Sequence, residues 1–391
     1  MVDGSVGSAA GNDSVPSACV DHGFRMRLPA LCPRRLLMMS VAAASDSTCL
    51  HSAADTEPKR RRGSVRPTIG THDGTFHCDE ALACFLLRQL PEYQDAEIVR
   101  SRDPQVLKDC DVVVDVGGVY DPTLHRYDHH QRSFTETMSS LRPGSVRCTK
   151  LSSAGLVYLH FGPRILSQCL GLQPSDPALP TLMDKVYENF VEEIDAVDNG
   201  IAQYDGEPRY TVTTNLSCRV SHLNPPWNAE NQDTQAAFVR AMQLVGSEFL
   251  DRLTYYHSSW LPARELVEEA IRRRCKADAS GEIVILKQGG CPWKEHLFEL
   301  EKELGLSTPI KFILYTDQRG QWRVQCVPET PTSFRSRLPL PEAWRGLRDE
   351  DLTTRSGIAG CVFVHANGFI GGNTTQEGAL QMARQTLRQA A

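Results

Sequence analysis

Residues 68–90 read TIGTHDGTFHCDEALACFLLRQL, and the way this stretch breaks decides the fold. Thr68 to Thr71 reads as a short strand. From Asp79 to Leu90, the residues Leu82, Phe85, Leu86 and Leu90 recur at the interval of one helical face, so a helix is expected there. The loop between strand and helix carries His72, His77 and Asp79. Strands that alternate with helices imply a mainly parallel sheet, in which sites gather at the carboxyl ends of the strands.

The same alternation continues outward. Ala96 to Arg100 and Asp111 to Val116 (DVVVDV) are β-rich, and the second is apolar enough for a strand buried on both faces, ending in Gly117-Gly118. Ser152 to Leu170 and Leu182 to Val197 read as helices, and Gln235 to Arg274 keeps helical periodicity with an interruption near Pro262. After Cys275 the pattern changes to short strands at Glu282 to Leu286, Ile310 to Tyr315 and Trp322 to Val327. A Pro-rich loop from Pro328 to Pro341, a strand at Cys361 to His365 and a last helix from Gln376 follow. The expected class is α/β, with a mainly parallel-sheet catalytic domain over 67–274, linker helices included. A second, smaller α+β C-terminal domain is expected over 275–391.

The chain has 391 residues, with 41% hydrophobic and 23% charged residues, the balance of a globular protein. No apolar run approaches the roughly 20 residues of a membrane-spanning helix. A formal net charge of −6 is unlike the basic surface of most nucleic-acid modules. A site that binds divalent cations needs carboxylates, however, and its ions add positive charge that a residue count omits. The 13 Cys are never spaced as Cys-x-x-Cys, so no zinc ribbon or redox pair is indicated and a reducing compartment is expected.

Residues 1–66 are rich in Ser, Ala and Gly without periodicity, and disorder is expected there. From Met26 the run MRLPALCPRRLLMMSVAAAS has Arg27, Arg34 and Arg35 and no acid before Asp46, as mitochondrial presequences do. Initiation at Met26, or internal processing, is therefore expected to send product to mitochondria. Fluorescent fusions begun at Met1 and at Met26 test this, and exclusion of both from mitochondria would overturn it. Lys59-Arg60-Arg61-Arg62 is a basic run of the nuclear-import kind.

Four separated clusters carry the chemistry: His72 with His77 and Asp79; Asp115 at the end of an apolar strand; Tyr127-Asp128-His129-His130-Gln131; and Asp195-Ala-Val-Asp198-Asn-Gly200. A lone His or Asp at a strand end is more often a cap. Four such clusters, all in loops after strands or helices, favour a metal site, because a buried carboxylate is costly without a cation or donor. Mixed imidazole and carboxylate donors suit Mn²⁺, with Mg²⁺ the alternative where oxygen ligands dominate.

The order H-x4-H-x-D, VVVD, DHH and a late Asp resembles the DHH phosphoesterase superfamily. The segments GTHDGTFHCDEALA, VVDVGG, RYDHHQRSFTETM, TKLSSAGLVYLHFG, YENFVEEIDAVDNG, CPWKEHL and HANGFIGGNTTQEGAL are similar to the melanocyte proliferating gene family of DHH-like exonucleases, over nearly all of residues 67–391. The resemblance implies a DHH-type catalytic domain, two divalent ions and 3′ to 5′ exonuclease action on single-stranded RNA. It places that action in the nucleus (nucleoplasm and nucleolus) and the mitochondrial matrix. It carries metal binding onto His72, His77, Asp79, Asp115, His129 and Asp198, and contact with the scissile phosphate onto His130. Asp115, lying between the clusters, is the candidate bridge between two metals. Superfamily members commonly have Asp where His77 stands. Between Asp195 and Asp198, the following Asn-Gly favours Asp198.

Under the same resemblance, Arg132 is a candidate to stabilise phosphate charge. His365 and a turn at Gly371-Gly372 are candidates to approach a phosphate through backbone N–H groups, and Trp293 is either core or a stacking platform. Two other functions stand beside the exonuclease: hydrolysis of a small phosphoester such as pyrophosphate, and RNA binding without catalysis, with the metals as structural pins.

Overall fold

The computed structural model describes residues 66–230 and 232–390. The disorder and address signals expected over 1–66 lie outside the described residues, Arg66 aside. The first half runs β1 (Thr68–Thr71), α1 (Cys78–Leu87), β2 (Glu97–Arg100), α2 (Pro104–Lys108), β3 (Val112–Val114), β4 (Tyr120–Asp121), β5 (Arg126–Tyr127), α3 (Met138–Leu141), α4 (Ser153–Leu170), α5 (Ala178–Val186), α6 (Glu192–Asp198), α7 (Leu216–Ser221) and α8 (Thr234–Tyr255). After it come α9 (Leu261–Arg272), α10 (Arg274–Ala277), β6 (Ile283–Ile285), α11 (Lys294–Glu303), β7 (Phe312–Thr316), β8 (Trp322–Cys326), α12 (Asp349–Ser356), β9 (Cys361–Val364), β10 (Ile370–Asn373) and α13 (Gln376–Ala390).

These elements form an α/β protein with two mixed five-stranded sheets. The first has the order β2-β1-β3-β5-β4, with β1, β2, β3 and β5 parallel and only β4 antiparallel. Ile69 pairs in register with Ile98 on one side and Val112 on the other. Strand β3 is the run VVV, buried on both faces, as a central parallel strand must be. In the second sheet, ordered β6-β7-β8-β10-β9, only β6 and β7 are parallel.

Helix α1 stops at Leu87, short of the expected Leu90, because Pro91 disfavours helical geometry in the residue before it. Leu90 is buried all the same. The helix expected from Leu182 begins earlier, at Ala178, and includes a π turn at Tyr187–Val191 before α6. A second π turn, Tyr256–Trp260, lies just ahead of Pro262. Proline has no N–H and its ring clashes with the carbonyl four residues back, so the wider turn absorbs the break in the ladder.

One core runs from Ile69 to Trp260, whereas Val267 and Ile271 of α9 already pack with the second sheet. The division in packing therefore falls inside the α8–α9 pair, ahead of the expected boundary at 275. The apolar face Ala263, Val267 and Ile271 needs cover, and the second sheet gives it.

The turn expected at Gly371-Gly372 is instead the interior of β10, where Gly371 pairs with Val324 and Val364. A Cβ on Gly371 would lie 2.9 Å from Leu340 and one on Gly372 2.8 Å from Arg323, so close packing accounts for both glycines. The turn before them is made by His365 to Gly368, where the Gly368 N–H donates to the His365 carbonyl at 2.8 Å and Gly368 has φ +70°.

Candidate metal centre

The loop after β1 delivers His72, and the start of α1 delivers His77, Asp79 and Glu80. The Glu80 carboxylate accepts a hydrogen bond from the His77 N–H at 2.8 Å, which caps the helix and fixes both residues. Carboxylates in a first helical turn are also favoured by the helix dipole. Asp79 and Glu80 are completely buried. The Nε2 of His72 lies 3.0 Å from Glu80 and 3.4 Å from Asp115. Burial works against charge on His72, but Asp115 and Glu80 outweigh it and raise its pKa to about 9.

Asp115 ends β3 in the left-handed region, with φ 59°. For a residue with a Cβ this conformation costs about 1 kcal/mol or more and marks a position whose side chain is held for a purpose. Its Oδ1 is 3.5 Å from His129 Nδ1. Asp128 works behind this cluster. Its carboxylate accepts hydrogen bonds from the Gly118 N–H at 2.5 Å and the His130 N–H at 3.1 Å, and its Oδ1 is 2.7 Å from His130 Nδ1. The Asp128 bond, opposed by burial, raises the pKa of His130, whose side chain is 61% exposed.

Helix α6 separates the two aspartates that the sequence leaves in competition. Asp198 Oδ2 lies 2.8 Å from His129 Nε2. Burial pushes the Asp198 pKa up, yet His129 prevails and lowers it. Asp195 faces away into a buried network. Its Oδ1 accepts from the Ser152 N–H (2.9 Å), the Ser152 hydroxyl (2.7 Å) and the Gly155 N–H (3.0 Å), and its Oδ2 from the Tyr187 hydroxyl at 2.9 Å. That network seats the N-terminus of α4, and burial raises the Asp195 pKa to about 7.

Three sets of donors converge: His72, His77, Glu80 and Asp115; Asp115, Asp128, His129 and His130; and His77, Asp79 and Asp198. Within each set the ligand atoms lie within 4.8 Å of one another, and Asp115 and His77 are each shared by two sets. Asp79 Oδ1, Glu80 Oε2, Asp115 Oδ1 and His129 Nδ1 are buried without a hydrogen-bond partner. Buried polar atoms are nearly always satisfied, so orphans in each of the three donor sets fit bound cations. Burial raises the carboxyl pKa of Asp79, with Asp115 and Asp198 adding to it, and burial likewise raises that of Asp115. A divalent ion would offset both the burial and the mutual repulsion of these carboxylates. The donors are oxygen and imidazole nitrogen, a set for hard or borderline ions.

Two clefts open onto this cluster. One of about 310 Å³ is lined by His72, His77, Arg102, Asp115, Asp128 and His130, among others. The other, of about 380 Å³, runs past His77, Asp79, His130 and Asp198 to Ser217, Cys218 and Ser221 of α7.

The structure thus brings together His72, His77, Asp79, Asp115, His129, His130 and Asp198. Arg132 is exposed and lines neither cleft. His365 is exposed in the β9–β10 turn, Gly371 and Gly372 are buried in β10, and Trp293 is core at 4% exposure. Sequence reasoning placed Glu80 and Asp128 within its clusters without giving either a role, and missed Arg102. Glu80 follows Asp79 in the motif and falls three residues after the helix cap, which was a usable signal. Arg102 carried none, because it reaches the cleft only through the parallel pairing of β2 with β1.

Residues 68–387 match the MYG1_exonuc family model, described as an uncharacterised protein family (UPF0160). The chain is 67% identical over 335 residues to the MYG1 exonuclease of Homo sapiens, covering 85% of this chain and 89% of the relative. It is 66% identical over 343 residues to the MYG1 exonuclease of Rattus norvegicus, with 87% and 90% covered. With the MYG1 protein of Dictyostelium discoideum it shares 52% identity over 327 residues, covering 83% and 97%.

Proposed function

The chain belongs to the MYG1_exonuc family, and on that premise we propose that it is a divalent-metal-dependent 3′ to 5′ exonuclease acting on single-stranded RNA in the nucleus and mitochondria. The observation that carries the metal-dependent hydrolysis is that Asp79 Oδ1, Glu80 Oε2, Asp115 Oδ1 and His129 Nδ1 are buried and unpaired among the clustered donors, with Asp115 lining one open cleft and Asp79 the other. RNA as substrate, the direction of attack and the compartments rest on the sequence resemblance. So does the reading of the first sheet and its helices as a DHH-type catalytic domain.

In this reading His72, His77, Asp79, Glu80, Asp115, His129 and Asp198 would hold two divalent ions, Mn²⁺ by preference, and Asp115 belongs to two of the donor sets. When bound, such ions lower the pKa of a water and neutralise the oxygens of a phosphoryl group in displacement. The chain's own groups do the rest. His130, exposed and held by Asp128, donates a hydrogen bond to a phosphate oxygen at the cleft. Its raised pKa keeps the imidazole protonated and cationic further towards neutral pH. Arg102, at the rim of the same cleft and 2.8 Å from Asp73, adds a guanidinium to the phosphate's side.

With Mn²⁺, the purified protein should release mononucleotides from the 3′ end of a 5′-labelled single-stranded RNA, and His129→Ala or Asp115→Asn should abolish release. Intact RNA beside consumed pyrophosphate would move the assignment to a small phosphoester. RNA bound but uncut under all divalent ions would move it to a binding protein.

A further inference from the structure

Among the described residues, Trp227 is 92% exposed, whereas Trp260, Trp293 and Trp344 are all nearly buried. An indole left in water forgoes one of the largest burial gains a side chain can make, so its position calls for a reason. Trp227 stands second in a turn, Pro226 to Ala229, closed by the Ala229 N–H donating to the Pro226 carbonyl at 3.0 Å. The Gln232 amide braces the turn by donating to the Pro226 carbonyl at 3.1 Å and the Trp227 carbonyl at 3.3 Å. The backbone that carries the indole is therefore hydrogen-bonded within its own turn.

That turn is tied at both ends to the loop that carries His72 and His77. On one side, Asn224 accepts from the Phe76 N–H at 3.0 Å and donates to the Phe76 carbonyl at 2.9 Å. On the other, Arg100 donates to the Thr234 carbonyl at 3.3 Å while holding the His72 and Gly74 carbonyls at 3.1 and 2.5 Å. The chain between Asp198 and α7 begins and ends on the larger cleft, and it too exposes aromatic rings, Tyr204 and Tyr210. Its charges are Asp205, Glu207 and Arg209, which offer no basic track for a phosphate backbone. Base stacking on exposed rings is sequence-tolerant and works together with positive charge for the backbone, which here falls to Arg102 at the cleft and to divalent ions held there.

We infer that Trp227 is a stacking platform for the bases of the single strand whose terminal phosphodiester enters the metal cleft. This rests on the exonuclease reading and adds to it a residue that grips the substrate by its bases. The platform sets affinity for the strand and leaves the bond-breaking step alone.

The experiment measures full-length wild type, Trp227→Ala and Trp227→Phe on a fluorescein-labelled 12-nucleotide single-stranded RNA. Binding is read by anisotropy in Ca²⁺ and cleavage in Mn²⁺, with an abasic oligomer of equal length as control. Trp227→Ala is expected to weaken binding and raise KM by about fivefold to about a hundredfold with kcat little changed. Trp227→Phe should restore most of the affinity, and the abasic oligomer should not distinguish the variants. Wild-type affinity in Trp227→Ala, with the RNA still cut, overturns the platform and leaves the exonuclease reading standing. A changed sedimentation coefficient with unchanged RNA affinity also overturns it and makes the indole a contact between copies. Failure of the wild type to bind or cut the RNA removes the exonuclease reading first, and the platform with it.

Discussion

Asp195 and Asp198 sit one helical turn apart on α6, yet Asp198 reaches His129 at 2.8 Å while Asp195 spends both its oxygens on Ser152, Gly155 and Tyr187. One is a candidate ligand and the other a structural anchor. Removing them should have different consequences. Asp198→Asn should lower affinity for Mn²⁺ tenfold or more with the melting temperature of the metal-free protein nearly unchanged. Asp195→Ala leaves four buried donors unpaired and should cost about 3 kcal/mol or more of stability. Calorimetric titration and thermal melts separate the two.

Asp195 also predicts a pH dependence. Burial raises its folded pKa to about 7 from the ordinary 3.8 of an aspartate, so the folded state binds the proton more tightly than the unfolded state does. The resulting stability is complete below about pH 4 and is lost as pH rises towards about 7. Asp195→Asn keeps an oxygen for Ser152 and Gly155 and offers Tyr187 a donor instead. It should remove this dependence, so that the stability difference between variant and wild type changes by on the order of 2–4 kcal/mol across that window. Parallel denaturant melts from pH 4 to 8 measure it, and parallel curves for the two proteins would refute it.

Glu80 both caps α1 and faces His72 at 3.0 Å. Glu80→Gln keeps an oxygen for the His77 N–H and removes the charge. Affinity for a divalent ion should fall about 10- to 100-fold, with helix content by circular dichroism unchanged. A variant that binds Mn²⁺ like the wild type would confine Glu80 to capping.

Divalent ions should stabilise the folded chain itself. At 100 times the dissociation constant the gain is about 2.7 kcal/mol, visible as a rise in melting temperature that a chelator reverses. His72→Ala should abolish most of the rise. A melting curve that ignores Mn²⁺ and Mg²⁺ alike would argue against the metal centre without any recourse to activity.

The left-handed backbone of Asp115 sets stability against function. Asp115→Gly relieves the φ 59° strain and removes a buried carboxylate, so the metal-free protein should gain about 1 kcal/mol. Metal binding should collapse in the same variant. Loss of both together would show that Asp115 is needed for the fold.

The sequence by itself determined the local elements and most of the candidate donors. The periodicity of residues 79–90 and the apolar run at Val112–Val114 set a strand and helix alternation, and His72, His77, Asp79, Asp115, His129 and His130 announced themselves because each follows such an element. Those features are local, written within one or two turns of chain. Tertiary structure decided what local pattern cannot encode. The choice of Asp198 over Asp195 depends on which face of α6 meets α4 and which meets His129, and a π turn at Tyr187–Val191 shifts that face. Gly371 and Gly372 look like a turn in one dimension and prove to be strand positions where Leu340 and Arg323 leave no room for a Cβ. Arg102 reaches the cleft through strand pairing, and Trp227 is tied to the His72 loop by Asn224 and Arg100. Packing between residues distant in the chain fixed both positions.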